Sequence, residues 1–175
     1  LLQQALDLNP GFDLSDVVVF DMAPQASDNA RGVALRGSNT SGVGMLRRIS
    51  VQGGHDYAVG TVGGADLSVE DAWFSEIGDD AMDGDAAGGL LTQSTGDFTA
   101  AGITVEGSPG YGVSARSANA DYRVGDVVLE DIVVRRTYRS EASTNGGFGI
   151  GLLSPSSASV SRVVVTGWGA SASIF

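Results

Sequence analysis

The chain has 175 residues, a net charge of −11 and no cysteine, and 26 of its residues are glycine. This length suffices for one domain with a hydrophobic core, and the lack of cysteine excludes disulfides and thiolate chemistry. All ten basic residues are arginine, against 21 acidic residues. Because such a chain repels a phosphate backbone, we expect no nucleic-acid partner. We also expect no membrane span, since no apolar run approaches the roughly 20 residues that a span needs.

The first residues predict a short helix. Apolar residues lie at near-helical spacing ahead of the chain-breaking sequence Asn9-Pro10-Gly11. They are Leu1, Leu2, Ala5, Leu6 and Leu8. A stack of repeats needs a cap on its first unit, so we expect residues 1–12 to form an N-terminal helical cap.

A six-fold repeat runs through the rest of the chain. Each copy has an apolar residue, two further residues, a second apolar residue, one residue and a third apolar residue. The copies are Leu14-Val17-Val19, Leu46-Ile49-Val51, Val69-Ala72-Phe74, Ala100-Ile103-Val105, Leu129-Ile132-Val134 and Val160-Val163-Val165. Their central residues recur every 23 to 32 positions, and this period is typical of stacked structural units.

A second apolar element follows each copy and usually begins with glycine. The six elements start at Gly32, Ala58, Gly89, Gly112, Gly149 and Ser173. Each unit is too short to bury an apolar face alone, whereas stacked units pile equivalent Val, Ile and Leu residues into continuous inward ladders.

These units resemble the parallel β-helix repeats of the pectin-lyase-like superfamily. We therefore expect an all-β chain, folded over residues 13–175 as a right-handed parallel β-helix of about six rungs. A β-sandwich also has short strands and glycine-rich turns, but it would not hold a Gly-Val-x-Leu element at a fixed distance before the next apolar triplet. Since the sequence stops at Ile174-Phe175 inside an expected strand, we expect the last rung to continue or to pair with another chain.

Polar residues collect in the segments that follow the apolar triplets. These segments should leave one corner of the stack, with neighbouring rungs about 4.8 Å apart. They would then form one surface. Its members are His55, Asp56, Asp79, Asp80, Tyr111 and Arg135.

Part of this surface resembles the polygalacturonase family of glycoside hydrolases, which carry Asn-Thr-Asp, Gly-Asp-Asp, Gly-His-Gly and Arg-Ile-Lys motifs. His55-Asp56 stands in the first place, Gly78-Asp79-Asp80 matches the second, and Gly110-Tyr111-Gly112 has the third frame with Tyr for His. The fourth motif is missing, because the chain has no lysine. The resemblance implies that Asp56, Asp79 and Asp80 are the carboxylates of an inverting hydrolase.

The acidic segment has two other interpretations. Gly and Asp are the residues that turns select, so the segment is also typical of a solvated loop. A cluster of carboxylates can alternatively supply several of the six to eight oxygens that Ca²⁺ requires. The calcium ligands would be Asp79, Asp80, Asp83 and Asp85.

Other residues are candidates for binding a ligand. Arg135, Arg136 and Arg139 suit an acidic sugar or another carboxylate, or they neutralise the acidic loop. Trp73 should point outward between the inward Ala72 and Phe74, where it could stack on a sugar or pack under a loop, as could Trp168. His55, the only histidine, is either a ligand-contacting residue beside Asp56 or an ordinary loop residue.

The sequence thus favours a non-catalytic extracellular scaffold, adhesin-like or appendage-forming, secreted or at the cell surface. We expect no required cofactor, with Ca²⁺ as an optional stabilising ion. Its expected partners are polysaccharides, other surface molecules or further copies of itself. The alternatives are a polygalacturonase-like enzyme acting on an acidic polysaccharide, and a carbohydrate-binding module that uses Trp73, Tyr111 and the arginines.

Overall fold

The fold is taken from a computed structural model of the chain. The structure describes residues 4–8, 11–22, 33–39, 42–53, 57–64, 66–78, 88–94, 96–108, 110–116, 124–138 and 148–166. These residues form β-strands joined by turns and contain no helix.

Strands in the described residues alternate between two sheets. They are β1 Gln4–Leu8, β2 Asp13–Met22, β3 Val33–Asn39, β4 Val43–Gly53, β5 Tyr57–Gly63, β6 Asp66–Ser75, β7 Gly88–Ser94, β8 Phe98–Glu106, β9 Tyr111–Arg116, β10 Val124–Arg135, β11 Phe148–Leu152 and β12 Pro155–Thr166. The odd-numbered strands pair in the order β1-β3-β5-β7-β9-β11, and the even-numbered strands pair in the order β2-β4-β6-β8-β10-β12. Every pairing is parallel, which is consistent with a β-helix-like fold.

The even sheet confirms the register predicted from the apolar triplets. The central residues form one continuous column, so that Val17 pairs with Ile49, Ile49 with Ala72, and so on along the sheet. The column is Val17, Ile49, Ala72, Ile103, Ile132 and Val163. The first and third triplet residues form parallel columns in the same register.

A left-handed residue explains the uneven spacing inside each triplet. Side chains three positions apart on a regular strand point to opposite faces, yet Leu46 and Ile49 are both buried. Arg48 lies between them with φ at +52°, and this conformation re-aims the chain so that both apolar residues face inward. Equivalent residues of the other even strands share a positive φ. They are Asp16, Asp71, Gly102, Asp131 and Arg162, and we call the six residues the corner column.

The odd sheet carries the second predicted element in register. Val59, Leu90, Val113 and Ile150 form its apolar column. Leu35, rather than Val33, aligns with Val59. The predicted element that begins at Ser173 lies outside the described residues.

One hydrophobic cluster fills the space between the two sheets. It takes buried residues from both, with Ile103 of β8 and Val113 of β9 fully enclosed. Leu14 and Val17 of β2 pack against the same cluster from one end, and Val163 and Val165 of β12 pack against it from the other. The core therefore runs through the whole stack, as the predicted ladders require.

The predicted N-terminal helix is wrong over the residues that the structure describes. Gln4–Leu8 form strand β1, which pairs in parallel with β3. Leu6 aligns with Leu35 and so extends the apolar column of the odd sheet. The leucine-rich start therefore belongs to the repeat, because pairing with β3 overrides the weak preference of five residues for a helix.

Candidate functional site

Most residues of the predicted acidic site lie outside the described residues. They are His55, Asp56, Asp79, Asp80, Asp83, Asp85 and Arg139, together with Trp168. The described strands do show where the acidic segment starts and ends, because β6 ends at Ser75 and β7 begins at Gly88. The catalytic and calcium interpretations of that segment stay predictions.

Trp73 points outward, as predicted. Its side chain is 39% exposed, while Ala72 and Phe74 on either side are buried. Its neighbours in the sheet are Ser50 and Thr104. Because Trp73 lies on the even sheet and Tyr111 on the odd sheet, these two residues of the predicted carbohydrate-binding module lie on different sheets.

Arg135 is the last residue of strand β10 and Arg136 follows it, and both side chains are exposed. The guanidinium of Arg136 pairs with the Glu106 carboxylate of the adjacent strand, Nη2 to Oε1 at 3.2 Å. Its backbone N–H also donates to the carbonyl of Thr166. Within the part of the chain that the structure describes, Arg136 thus pairs with a carboxylate of the neighbouring strand.

A groove of about 410 Å³ crosses the last two strands of the odd sheet. It is lined by side chains of β9 and β11 and by the turn after β11. The lining residues are Tyr111, Ser114, Arg116, Phe148, Gly151, Leu152 and Leu153. The groove combines aromatic faces, a cation, a hydroxyl and an apolar rim, and such a mixture is typical of small-molecule and sugar sites.

Two stacked aromatic rings form one wall of this groove. Tyr111 and Phe148 are register partners in β9 and β11, and their ring centroids lie 5.3 Å apart with 23° between the planes. Gly151 makes room for the tyrosine, since a Cβ at that position would come within 2.6 Å of the ring carbon Cε1. Offset stacking of this kind holds both rings in place.

Arg116 supplies the positive charge of the groove. With the Gln93 amide in the orientation that satisfies both its oxygen and its nitrogen, its oxygen accepts hydrogen bonds from Arg116 Nε at 3.1 Å and Nη2 at 3.0 Å. Gln93 and Arg116 are register partners in β7 and β9. Gln93 orients the guanidinium without neutralising its positive charge. Arg116 can therefore attract a carboxylate.

On the surface of the even sheet, two arginines of the corner column pair with carboxylates of the preceding strand. Arg48 donates to the Asp16 carboxylate through Nε at 2.6 Å and Nη2 at 2.7 Å. Arg162 makes the same two-bond contact with Asp131, at 2.5 and 2.8 Å, and also reaches Glu130. The hydrogen bonds from arginine lower the pKa of Asp16 and of Asp131 and raise the pKa of both arginines.

The groove residues Phe148 and Arg116 were not predicted from the sequence. A signal for Phe148 exists, because Gly147-Phe148-Gly149 has the same frame as Gly110-Tyr111-Gly112. An aromatic residue between two glycines therefore marks this site on consecutive odd strands. Arg116 carries no comparable local signal, since only the pairing of β7 with β9 brings it beside Gln93.

Within the described ranges, no three His, Asp or Glu side chains are grouped so that they could hold a metal ion. Over the same ranges, no helix has the length and apolar character needed to cross a membrane.

Comparison with known proteins gives no family. No family model, curated protein or solved structure matches the chain. The resemblance to the pectin-lyase-like superfamily and to polygalacturonases therefore stays a prediction from the repeat and from the Gly-Asp-Asp segment.

Proposed function

We propose that the chain is a non-catalytic scaffold that folds as a right-handed parallel β-helix of about six rungs. It acts outside the cell as an adhesin-like or appendage-forming module. The observation that carries this proposal is the unbroken register of the even sheet, in which six apolar triplets align from Val17 to Val163. Such stacking builds a rigid, elongated body, since each unit is supported by its neighbours.

The surface charges support a structural role. Arg48, Arg136 and Arg162 each pair with a carboxylate of an adjacent strand. They therefore stabilise the contact between neighbouring strands instead of converging on a catalytic centre. A hydrolase of the predicted type needs two carboxylates about 6.5–9.5 Å apart, and its three candidate acids all lie outside the described residues.

An activity screen tests the non-catalytic part of the proposal. The chain is incubated with polygalacturonate and a broad set of other polysaccharides, and the release of reducing ends is measured. We expect no release above that of a heat-inactivated sample. Release that disappears in the Asp80→Asn variant would overturn the proposal in favour of the hydrolase.

Binding of an acidic saccharide is a second candidate function, and the groove favours it. The stacked rings of Tyr111 and Phe148 offer an apolar face for a sugar ring. Arg116, held by Gln93, offers two parallel N–H donors to a carboxylate or sulfate. A scaffold with such a groove would adhere to acidic surface polysaccharides.

Two ligands and two variants distinguish binding in the groove from non-specific binding. We expect an acidic oligosaccharide to bind the chain, and its neutral counterpart to bind at least about tenfold more weakly, because one charged contact contributes about 1.5–3 kcal/mol. Arg116→Gln should abolish this preference, while Trp73→Ala on the other sheet should preserve it. If Arg116→Gln prefers the acidic oligosaccharide as strongly as Trp73→Ala does, the binding site lies outside the groove.

A further inference from the structure

We propose that copies of this chain associate head to tail, with β12 of one copy pairing in parallel with β2 of the next. This inference rests on the proposed scaffold function and specifies how the scaffold is extended. Among the described strands, β2 and β12 are the two edges of the even sheet. Both are long, with 10 and 12 residues, and a long edge strand is a template for further pairing.

At both edges of the described even sheet, the apolar column is only partly covered. In the interior strands, the first residue of the triplet is fully or almost fully buried, as for Leu46 and Leu129. At the two ends, Leu14 is only half-buried and Val160 is 37% exposed. Placing β2 of a second copy on β12 would continue the column from Val160 to Leu14 and bury both side chains.

The charges of the corner column give the head-to-tail contact its direction. Along the stack its residues carry alternating charges, broken once by glycine. In order they are Asp16, Arg48, Asp71, Gly102, Asp131 and Arg162. The column thus begins with an anion and ends with a cation, and the Asp16 of a following copy would continue the alternation after Arg162.

The chain already contains this sequence of charges internally. Arg48 binds Asp16 on the strand before it, and the charge of Asp71 on the strand after it further raises its pKa. Arg162 binds Asp131 on the strand before it, so a second copy would place its Asp16 where Asp71 stands relative to Arg48. The junction would therefore repeat an arrangement that the fold already uses.

Charge also disfavours the symmetric alternatives. Pairing β12 with β12 would bring two Arg162 side chains to one edge, and pairing β2 with β2 would do the same with two Asp16 carboxylates. Exposed ion pairs add little affinity, but they select the partner and fix the register. A head-to-tail contact between identical chains leaves one free end at each side, so it propagates into an open filament or closes into a ring.

Two lysine substitutions on β12 form a matched test. Val160→Lys introduces a charge into the apolar column that the contact would bury, whereas Val164→Lys introduces it on the outward face, where Val164 is 49% exposed. Sedimentation velocity of the 175-residue chain from about 1 to about 200 µM covers the affinities of small interfaces. We expect wild type and Val164→Lys to associate, and Val160→Lys to associate at least about 100-fold more weakly.

A mixing experiment tests the direction of pairing. Leu14→Lys blocks the β2 end, and Val160→Lys blocks the β12 end, so neither variant should form oligomers alone. An equimolar mixture should yield a discrete dimer, because each chain contributes the one end that the other lacks. Thermal melting of each variant at low concentration confirms that both remain folded.

Three results would overturn the inference: a wild type that stays monomeric across the range, Val160→Lys associating as well as Val164→Lys, or a mixture without dimers. None of them bears on the non-catalytic scaffold proposal, which a positive activity screen would overturn. Conversely, hydrolase activity in a chain that forms these dimers would overturn the scaffold and leave the head-to-tail contact standing.

Discussion

The guanidinium of Arg48 holds the Asp16 carboxylate of the adjacent strand through two hydrogen bonds of 2.6 and 2.7 Å. Both residues have a positive φ, a conformation that is unfavourable for side chains other than glycine. The strained corner position thus aligns two charges that neutralise each other, and the same arrangement recurs at Asp131 and Arg162.

These pairs predict that acid destabilises the fold. The pKa of Asp16 and of Asp131 lies below 3.8 in the folded chain, whereas in the unfolded chain it is close to that value. The stabilisation is therefore complete above the unfolded pKa and is lost as the pH falls through the lower folded pKa. We expect the urea midpoint to fall as the pH drops below the unfolded value of 3.8.

A double variant and salt provide the controls for the acid experiment. Asp16→Asn combined with Asp131→Asn should flatten the decline, because the two linked titrations are gone. At about 1 M salt, where the Debye length is about 3 Å, wild type and the double variant should converge. An equally steep decline in both chains at low salt would assign the acid sensitivity to other carboxylates.

Gly102 tests the charge alternation of the corner column. It occupies the place between Asp71 and Asp131 with φ at +66°, so any side chain there costs about 1 kcal/mol in the left-handed conformation. Arginine should recover part of this cost because it faces a carboxylate on each side, and glutamate should add repulsion. We expect stability to fall in the order Gly102→Arg, Gly102→Ala, Gly102→Glu, measured by urea unfolding.

The reverse order for Gly102→Arg and Gly102→Glu would contradict the electrostatic role of the column. Equal stability of all three variants would show that only the backbone conformation matters at this corner.

Ile103 tests the continuity of the core. Its side chain is fully buried in the column between Ala72 and Ile132, so Ile103→Ala should lower the free energy of unfolding by about 2–5 kcal/mol. The outward neighbour Thr104 is half-buried, and Thr104→Ala should cost less than about 1 kcal/mol. Similar losses in the two variants, measured by urea unfolding, would contradict the inward and outward assignment.

The register could be predicted from the sequence because it depends on a repeated pattern. Six triplets with the same internal spacing fix the even sheet, and their alignment from Val17 to Val163 is confirmed. The left-handed corner was not predicted, although the two-residue gap between Leu46 and Ile49 already conflicts with regular alternation. Strand β1 was predicted as a helix, because five residues are too few to distinguish the helical period of 3.6 residues from the strand period of two.

The groove was predicted only in part, for a physical reason. Tyr111 was singled out because its two flanking glycines form a visible frame, and the structure does place it at a groove. Its ring partner Phe148 and the cation Arg116 lie 37 and 5 residues further along the chain. Phe148 becomes a neighbour of Tyr111 only through the pairing of β9 with β11, which a local motif does not encode. Arg116 lies at the other end of β9, outside the Gly-Tyr-Gly frame.

Calcium dependence tests the interpretation of the acidic loop. If Asp79, Asp80, Asp83 and Asp85 bind Ca²⁺, excess EDTA should lower the melting temperature by several degrees, because a ligand that binds only the folded state stabilises it. Added Ca²⁺ should restore it, whereas Mg²⁺ should restore it less, since it prefers a smaller octahedral site. A melting temperature indifferent to EDTA would remove the calcium site.

The most direct test of the stacked-strand scaffold is a set of spin-label distances. Ser15, Ala101, Glu130 and Ser161 belong to one column of the even sheet, and the chain has no native cysteine to remove. Labels paired from Ser15 to Ala101, Glu130 and Ser161 should give backbone separations of about 14, 19 and 24 Å, one step of about 4.8 Å per strand. Distances that fail to grow in equal steps along this series would contradict the scaffold.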